Sequence, residues 1–249
     1  MLRRSAVQFA AVIAFVLAAT AAQAADVRVM ISSGFFHVYS ELGPAYEKAT
    51  GNHLVTTRGP SLGDSPEAIP TRLARGEEAD VVIMDGHGAD MLDQKQMTKP
   101  GSRINLAESF IGMVARSGQP KPDISTTEGL RKALLAAKSV AVSDSSSGTY
   151  LSTVGFKKLG VAEEVAKKLR KVRGPPSGEP VAAVIARGEA EIGFQQVAEL
   201  IHTLGVDFVG ALPAKAKQPE AAVALLRFLS SAEAAPIITK AGLKPLAPK

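Results

Sequence analysis

The sequence predicts a two-lobed α/β protein with mostly parallel sheets and a ligand cleft between the lobes. Three observations predict it. Strand-like and helix-like patterns alternate over residues 27–194, as repeated β-α-β units require. Two hydroxyl-rich turns, Ser32-Ser33-Gly34 and Ser143-Asp144-Ser145-Ser146-Ser147, each stand where a strand feeds a helix. A breaker-rich segment, Gly118-Gln119-Pro120-Lys121-Pro122, then divides the alternation into two blocks. In such folds ligands sit where strand C-termini and helix N-termini meet.

Residues 1–24 lie outside this pattern. Arg3-Arg4 form a basic start, residues 7–19 an apolar stretch shorter than a membrane span, and Ala22-Gln23-Ala24 a small-x-small cleavage site. The reading is a cleaved signal peptide and a periplasmic mature chain starting at Ala25 or Asp26. No cysteine stands where a lipid anchor would need one.

The mature elements follow in order. Residues 27–31 alternate as a strand, and the turn at Ser32-Ser33-Gly34 enters a helix marked by Tyr39, Leu42, Tyr46 and Ala49 and closed by Gly51. Residues 53–57 make a second strand. Arg58-Gly59-Pro60-Ser61-Leu62-Gly63-Asp64-Ser65-Pro66 is too rich in breakers to be anything but a loop. A short helix at 69–75, stopped by Gly76, a buried strand at 81–84 and a strand at 110–115 complete the first block. The second block has a helix at 127–137 and a strand at 139–142. Gly148 then opens an amphipathic pattern that runs to Leu159. A helix at 163–168, a strand at 169–172, a loop at 174–178, a helix at 180–187 and a strand at 191–194 leading to Gln195-Gln196 follow. The tail, 218–242, is helical with an apolar face of Val223, Leu226, Phe228 and Leu229. The division is 1–24 as leader, 25–112 as the first part of lobe 1, 113–212 as lobe 2, and 213–249 as C-terminal helices returning to lobe 1.

Composition narrows the chemistry. The absence of cysteine excludes disulfides, thiolate metal sites and cysteine nucleophiles. Without Arg3 and Arg4 the 29 basic residues become 27 against 24 acidic ones, a net charge of about +3, which suits a small anion. Nucleic acid is not expected, since clustered basic residues with aromatic platforms are lacking. The four histidines, His37, His53, His87 and His202, stand at unrelated spacings, so no metal and no cofactor is expected.

The second serine turn is the sharper motif. Ser146 or Ser147 near a helix N-cap would bring hydroxyls, free first-turn N–H groups and the positive end of the helix dipole to one point. Such a point binds an anion without a cationic side chain. A plain capping box with surface serines is the simpler alternative.

Four segments together carry a family resemblance: the strand and turn at Ser32-Ser33-Gly34, Leu73-Ala74-Arg75-Gly76-Glu77-Glu78-Ala79-Asp80-Val81, Ser147-Gly148-Thr149-Tyr150, and Ala186-Arg187-Gly188-Glu189-Ala190-Glu191-Ile192-Gly193-Phe194. In this order and spacing they resemble the periplasmic molybdate-binding proteins, the solute receptors of an ABC importer. The resemblance implies a type II periplasmic binding protein fold that closes on an oxyanion held by neutral donors. It also implies a monomer, with an importer permease as partner. Gly34 stands where the family places a ligand serine, and Gln196 where it places a tyrosine. Gly59-Pro60-Ser61-Leu62-Gly63, Pro66-Glu67-Ala68-Ile69-Pro70, Glu179-Pro180-Val181 and Gln195-Gln196 are similar to the branch of periplasmic aconitate isomerases, which shift a proton across an allylic system without a metal. The family also has a return strand after the Leu212-Pro213 region; here residues 213–219 run almost directly into the tail helices, so that strand is expected to be missing.

The ligand-binding set is therefore Ser32, Ser33, Gly34, Ser61, Ser146, Ser147, Gly178 and Gln196, with Arg58 as a carboxylate partner. Asp80, closing a helix–strand connection, is expected to satisfy backbone donors. Serine and glutamine are poor bases, which leaves Tyr150, His37 or Glu179, with Tyr150 as the candidate catalytic group. This donor set favours a receptor for a small oxyanion or tricarboxylate. An aconitate isomerase in the same cleft is the alternative, and a pure interaction protein has no positive feature.

Overall fold

The structure, a computed structural model, describes residues 24–63, 65–199, 205–211 and 214–246. The expected leader, apart from Ala24, and the positions Asp64, His202, Leu212 and Pro213 lie outside the described residues.

The first block runs β1 (Asp26–Ile31), α1 (Ser33–Thr50), β2 (His53–Arg58), α2 (Ile69–Ala74), β3 (Val81–Asp85), α3 (Gly86–Gln94) and β4 (Ile104–Ala115). β1 sits between β2 and β3 and is parallel to both. Its side chains alternate between two cores. Val27, Val29 and Ile31 face α1 and the C-terminal helices, while Met30 faces the other side with Ile69, Met84 and Leu92. Tyr46 is almost fully buried, and its hydroxyl donates to the Ala221 carbonyl at 2.8 Å, fastening α1 to the tail. Asp80 accepts from the backbone N–H groups of Arg28, Lys217 and Gln218, so it satisfies backbone donors as the sequence expects. Helix α3 was not legible in the sequence because glycine occupies two of its first three positions. Asp85 compensates by capping it, accepting from Gly88 N–H at 3.0 Å.

The second block runs α4 (Thr127–Ala136), β5 (Val140–Ser143), α5 (Ser146–Tyr150), a π-turn (Leu151–Gly155), α6 (Phe156–Lys158), α7 (Ala162–Ala166), β6 (Leu169–Val172), α8 (Val181–Ala186) and β7 (Ile192–Gln196). β5 is parallel to β6 and β7. Leu134, Val142, Phe156, Val165 and Phe194 fill one core, and Val172, Val181 and Ile185 the other. The stretch 146–158 is helical throughout with a π-turn in its middle, an irregularity that often lies near functional sites.

Two strands join the lobes. The first half of β4 pairs with the returning strand β8 (Gly205–Ala211), and its second half pairs with β7. β8 in turn pairs with β3, so the full order is β2-β1-β3-β8-β4-β7-β5-β6. These joining pairs are antiparallel, whereas the pairs within each block are parallel. The expected loss of the return strand is corrected here: that strand exists, but it precedes residue 212 instead of following it. The chain then closes on lobe 1 with α9 (Pro219–Leu229), α10 (Ala235–Lys240) and β9 (Lys244–Pro245), the last pairing with β4. α9 buries Ala222, Leu225, Leu226 and Leu229.

Candidate functional site

The cleft lies between the lobes and is lined by Ser32, Ser33, Pro60, Ser61, Asp144, Ser145, Ser146, Gly174, Pro175, Gln195, Gln196 and Glu199. Gln195 and Gln196 are the last two residues of β7, and the others stand in the turns or helix starts that follow β1, β2, β5, β6 and β7, because parallel β-α units leave strand ends and helix starts on one side.

Lobe 1 brings the N-terminus of α1 and the loop after β2. Ser32 donates its backbone N–H to Ile83 but leaves its hydroxyl buried, with no hydrogen-bond partner among the described residues. Such a group costs stability unless a ligand completes it. Ser33 accepts from the Arg58 guanidinium at 3.3 Å, and that guanidinium lies over the Phe36 ring at 3.9 Å. Arg58 Nε is also buried without a hydrogen-bond partner among the described residues. Burial holds the Arg58 pKa below its usual value, and Glu199 acts in the opposite sense. Ser61 accepts from Asp85 N–H at 3.1 Å, which leaves its own hydrogen to donate.

Lobe 2 brings the serine turn. Gly148 is forced by packing: a Cβ there would stand 1.7 Å from the Ser143 carbonyl oxygen, so the helix can start this close to the strand end only with glycine. Ser143 links to Ser145 at 2.8 Å and to Ser147 at 2.9 Å. Ser147 is fully buried in that chain and does not reach the cleft lining; Ser145 lines it instead. Ser146 does line the cleft, yet its hydroxyl donates across it to the Asp85 carboxylate at 2.5 Å.

The remaining expected residues divide. Gln196 lines the cleft, 4% exposed at the end of β7. Gly34 is buried as the second residue of α1 and is not in the lining. Gly178 is likewise not in the lining; it closes the 173–179 turn, where a Cβ would meet the Arg173 carbonyl at 2.0 Å. Tyr150 is 46% exposed and outside the lining. His37 is exposed and pairs with Glu41, and Glu179 is half-buried, outside the lining, and held by Arg187 at 2.6 Å. Arginine contact keeps the Glu179 carboxyl below its usual pKa, the wrong direction for a base near neutrality.

The group that the sequence did not offer is Glu199. It stands in the 3₁₀ turn Val197–Glu199 that follows β7. Burial pushes its carboxyl up to about 7, against the Gln195 hydrogen bond and Arg58, with Asp144 adding to the rise. Gln195 Nε2 donates to Glu199 Oε2 at 2.6 Å. Gln-Gln-Val-Ala-Glu has no periodicity or motif that would mark the glutamate. The cleft thus combines hydroxyl and amide donors, the Arg58 guanidinium close by, and a carboxyl that burial raises to about 7.

Two α/β lobes joined by paired crossing strands, with a polar cleft between them, define a type II periplasmic binding protein. The chain belongs to the family of bacterial extracellular solute-binding proteins, whose pattern it matches over residues 27–244. Over 232 residues it is 44% identical to an aconitate isomerase from a Pseudomonas species, covering 88% of this chain and 87% of that one. It is 25% identical over 187 residues to the molybdate-binding protein ModA of Azotobacter vinelandii, covering 74% and 69%. The solved periplasmic molybdate-binding protein of Azotobacter vinelandii superposes with a TM-score of 0.66 at 18% identity, over 90% of this chain and 100% of that chain. The chain therefore falls in the molybdate-binding-like group, on the side of its aconitate isomerase branch.

Proposed function

We propose that this periplasmic solute-binding protein takes an aconitate-type tricarboxylate between its lobes and interconverts the trans and cis isomers by an allylic proton shift. The observation that carries the reading is Glu199: a carboxyl with its pKa near 7 in an anion cleft is suited to take a proton and return it. A receptor needs no such group. The 44% identity to an aconitate isomerase supports the same reading.

The steps balance within the substrate. Ionised Glu199 removes a methylene proton from trans-aconitate, and the electron pair spreads over the allylic system into the adjoining carboxylates. The protonated Glu199 returns the proton to the former vinylic carbon, leaving the double bond shifted and the substrate as cis-aconitate. Ser32, Ser61, Gln196 and the first-turn N–H groups of α1 would hold substrate carboxylates, with Arg58 balancing charge beside Glu199. No external oxidant or reductant enters.

Capture of a small anion for an ABC importer, as a monomer, is the second reading. The neutral donors Ser32, Ser61 and Gln196 favour it, since they would serve binding alone. Incubation of the mature protein with trans-aconitate in D₂O, followed by proton NMR, separates the two. Cis-aconitate formation that Glu199→Gln abolishes, with binding retained by calorimetry, supports the isomerase. Tight molybdate binding with no aconitate turnover returns the chain to the receptors.

A further inference from the structure

Gln195 is buried near the end of β7, with 1% exposure. Its side-chain oxygen accepts from the backbone N–H of Val181, the first residue of α8, at 2.7 Å. An amide has one oxygen and one NH₂, so that bond fixes which end faces which way. The NH₂ is left facing Glu199 Oε2, at 2.6 Å. Flipping the amide would set oxygen against carboxylate and NH₂ against N–H, losing both bonds in a buried place. Among the described residues the other Glu199 oxygen receives no hydrogen bond.

We propose that Gln195 is a positioning residue for Glu199: the start of α8 locks the amide, and the locked amide holds one carboxyl oxygen so that the other exchanges the proton with the ligand. This rests on the reading of Glu199 as the proton carrier. It goes beyond that reading by assigning the carboxyl's orientation, and the pH at which it works, to a helix start that is not in the cleft lining.

The charged groups acting on Glu199 are Arg58 from β2 and Asp144 beyond β5. α1 and β4 also pack against its turn. Of their titratable side chains, His37 is engaged with Glu41, Tyr39 with Thr56, Glu47 with the Leu54 N–H, Tyr46 with the Ala221 carbonyl and Glu108 with Lys244, while Lys48 stands in the last turn of α1, at the end far from the cleft. Among the described residues the amide is thus the neutral contact that favours the ionised carboxylate, and its loss should raise the pKa further.

The test is a carbon-13 NMR titration of the glutamate side-chain carboxyl in the intact mature protein, with the Glu199 resonance assigned by its absence in Glu199→Gln. Gln195→Leu removes the donor, and its Glu199 midpoint should rise by about one pH unit or more. Gln195→Glu keeps the acceptor for Val181 N–H but sets a second carboxyl against the first, so two separated midpoints are expected. The rising limb of the kcat/KM profile with trans-aconitate should move with the midpoint. Unchanged midpoints in both variants, or a KM change without any pH shift, would overturn the proposal. Turnover surviving in Glu199→Gln would instead overturn the function reading, and the titration would still judge the lock.

Discussion

The hydroxyl of Ser146 in lobe 2 donates to the carboxylate of Asp85 in lobe 1 at 2.5 Å, with both residues buried. Asp85 at the same time caps α3 through Gly88, so one side chain ends a helix in its own lobe and fastens the other lobe. Beside it, Ser177 donates to Glu67 and Arg173 donates to Ser65, further ties between the two facing loops.

Ser146→Ala should therefore act on stability. Asp85 would lose a charge-assisted bond in a buried place, at a cost of roughly 1–3 kcal/mol. Differential scanning calorimetry of the ligand-free protein should show a lower melting temperature. An unchanged melting curve would mean that the contact contributes nothing to closure.

Ser32→Ala should behave in the opposite way. Its hydroxyl has no partner in the described protein, so removing it should leave the ligand-free protein as stable or slightly more so. Ligand affinity should fall by about 1–2 kcal/mol, roughly five- to thirtyfold. Calorimetric titration of both serine variants with aconitate tests the contrast.

Glu199 links stability to pH. Its folded pKa, about 7, lies above the ordinary 4.5, so the folded state binds the extra proton between these values. Stability is greatest below pH 4.5 as far as this group is concerned, and falls as pH rises through 7. The contribution is at most about 3 kcal/mol, less whatever solvent reaches the carboxyl. Chemical denaturation at a series of pH values should show this fall in the parent and its loss in Glu199→Gln. Activity has the reverse dependence, rising toward pH 7 as the base ionises.

Tyr150→Phe should leave aconitate turnover within about twofold, because an exposed phenol outside the lining removes no buried bond when it is lost. Steady-state kinetics on this variant decides it. A large fall in kcat would bring Tyr150 back to the chemistry that the sequence suggested.

The lobes and most of their elements were legible because apolar alternation and glycine stops are local properties. β6 was read at its observed bounds, Leu169–Val172, and Gly51 closes α1 with a φ of 74°. The donors were legible by type but not by allegiance. Nothing local distinguishes Ser146 and Ser147, which bond within the protein, from Ser32, which does not. For Ser146 that difference depends on Asp85, 61 residues away in sequence, and for Ser147 on how the start of α5 packs on Ser143 at the end of β5. Glu199 was hidden for the same reason, since its pKa arises from burial and from Gln195, Arg58 and Asp144 converging from three strand ends. The return strand was sought after residue 212 because the family resemblance set the expectation, and the hydrogen-bonded register places it earlier.

Strand β4 is hydrogen-bonded into both lobes along one unbroken run of 12 residues. A connection of this kind works as a flexure and not as a loose joint. Any change of angle between the lobes has to be taken up by paired backbone, since β8 is also paired with β3 and β4 with β7. The register shift between Asn105 and Ala107 marks where that ribbon is already irregular, on the lobe 1 side of the crossing. The amide hydrogens of β4 should therefore stay protected from exchange in open and closed forms alike.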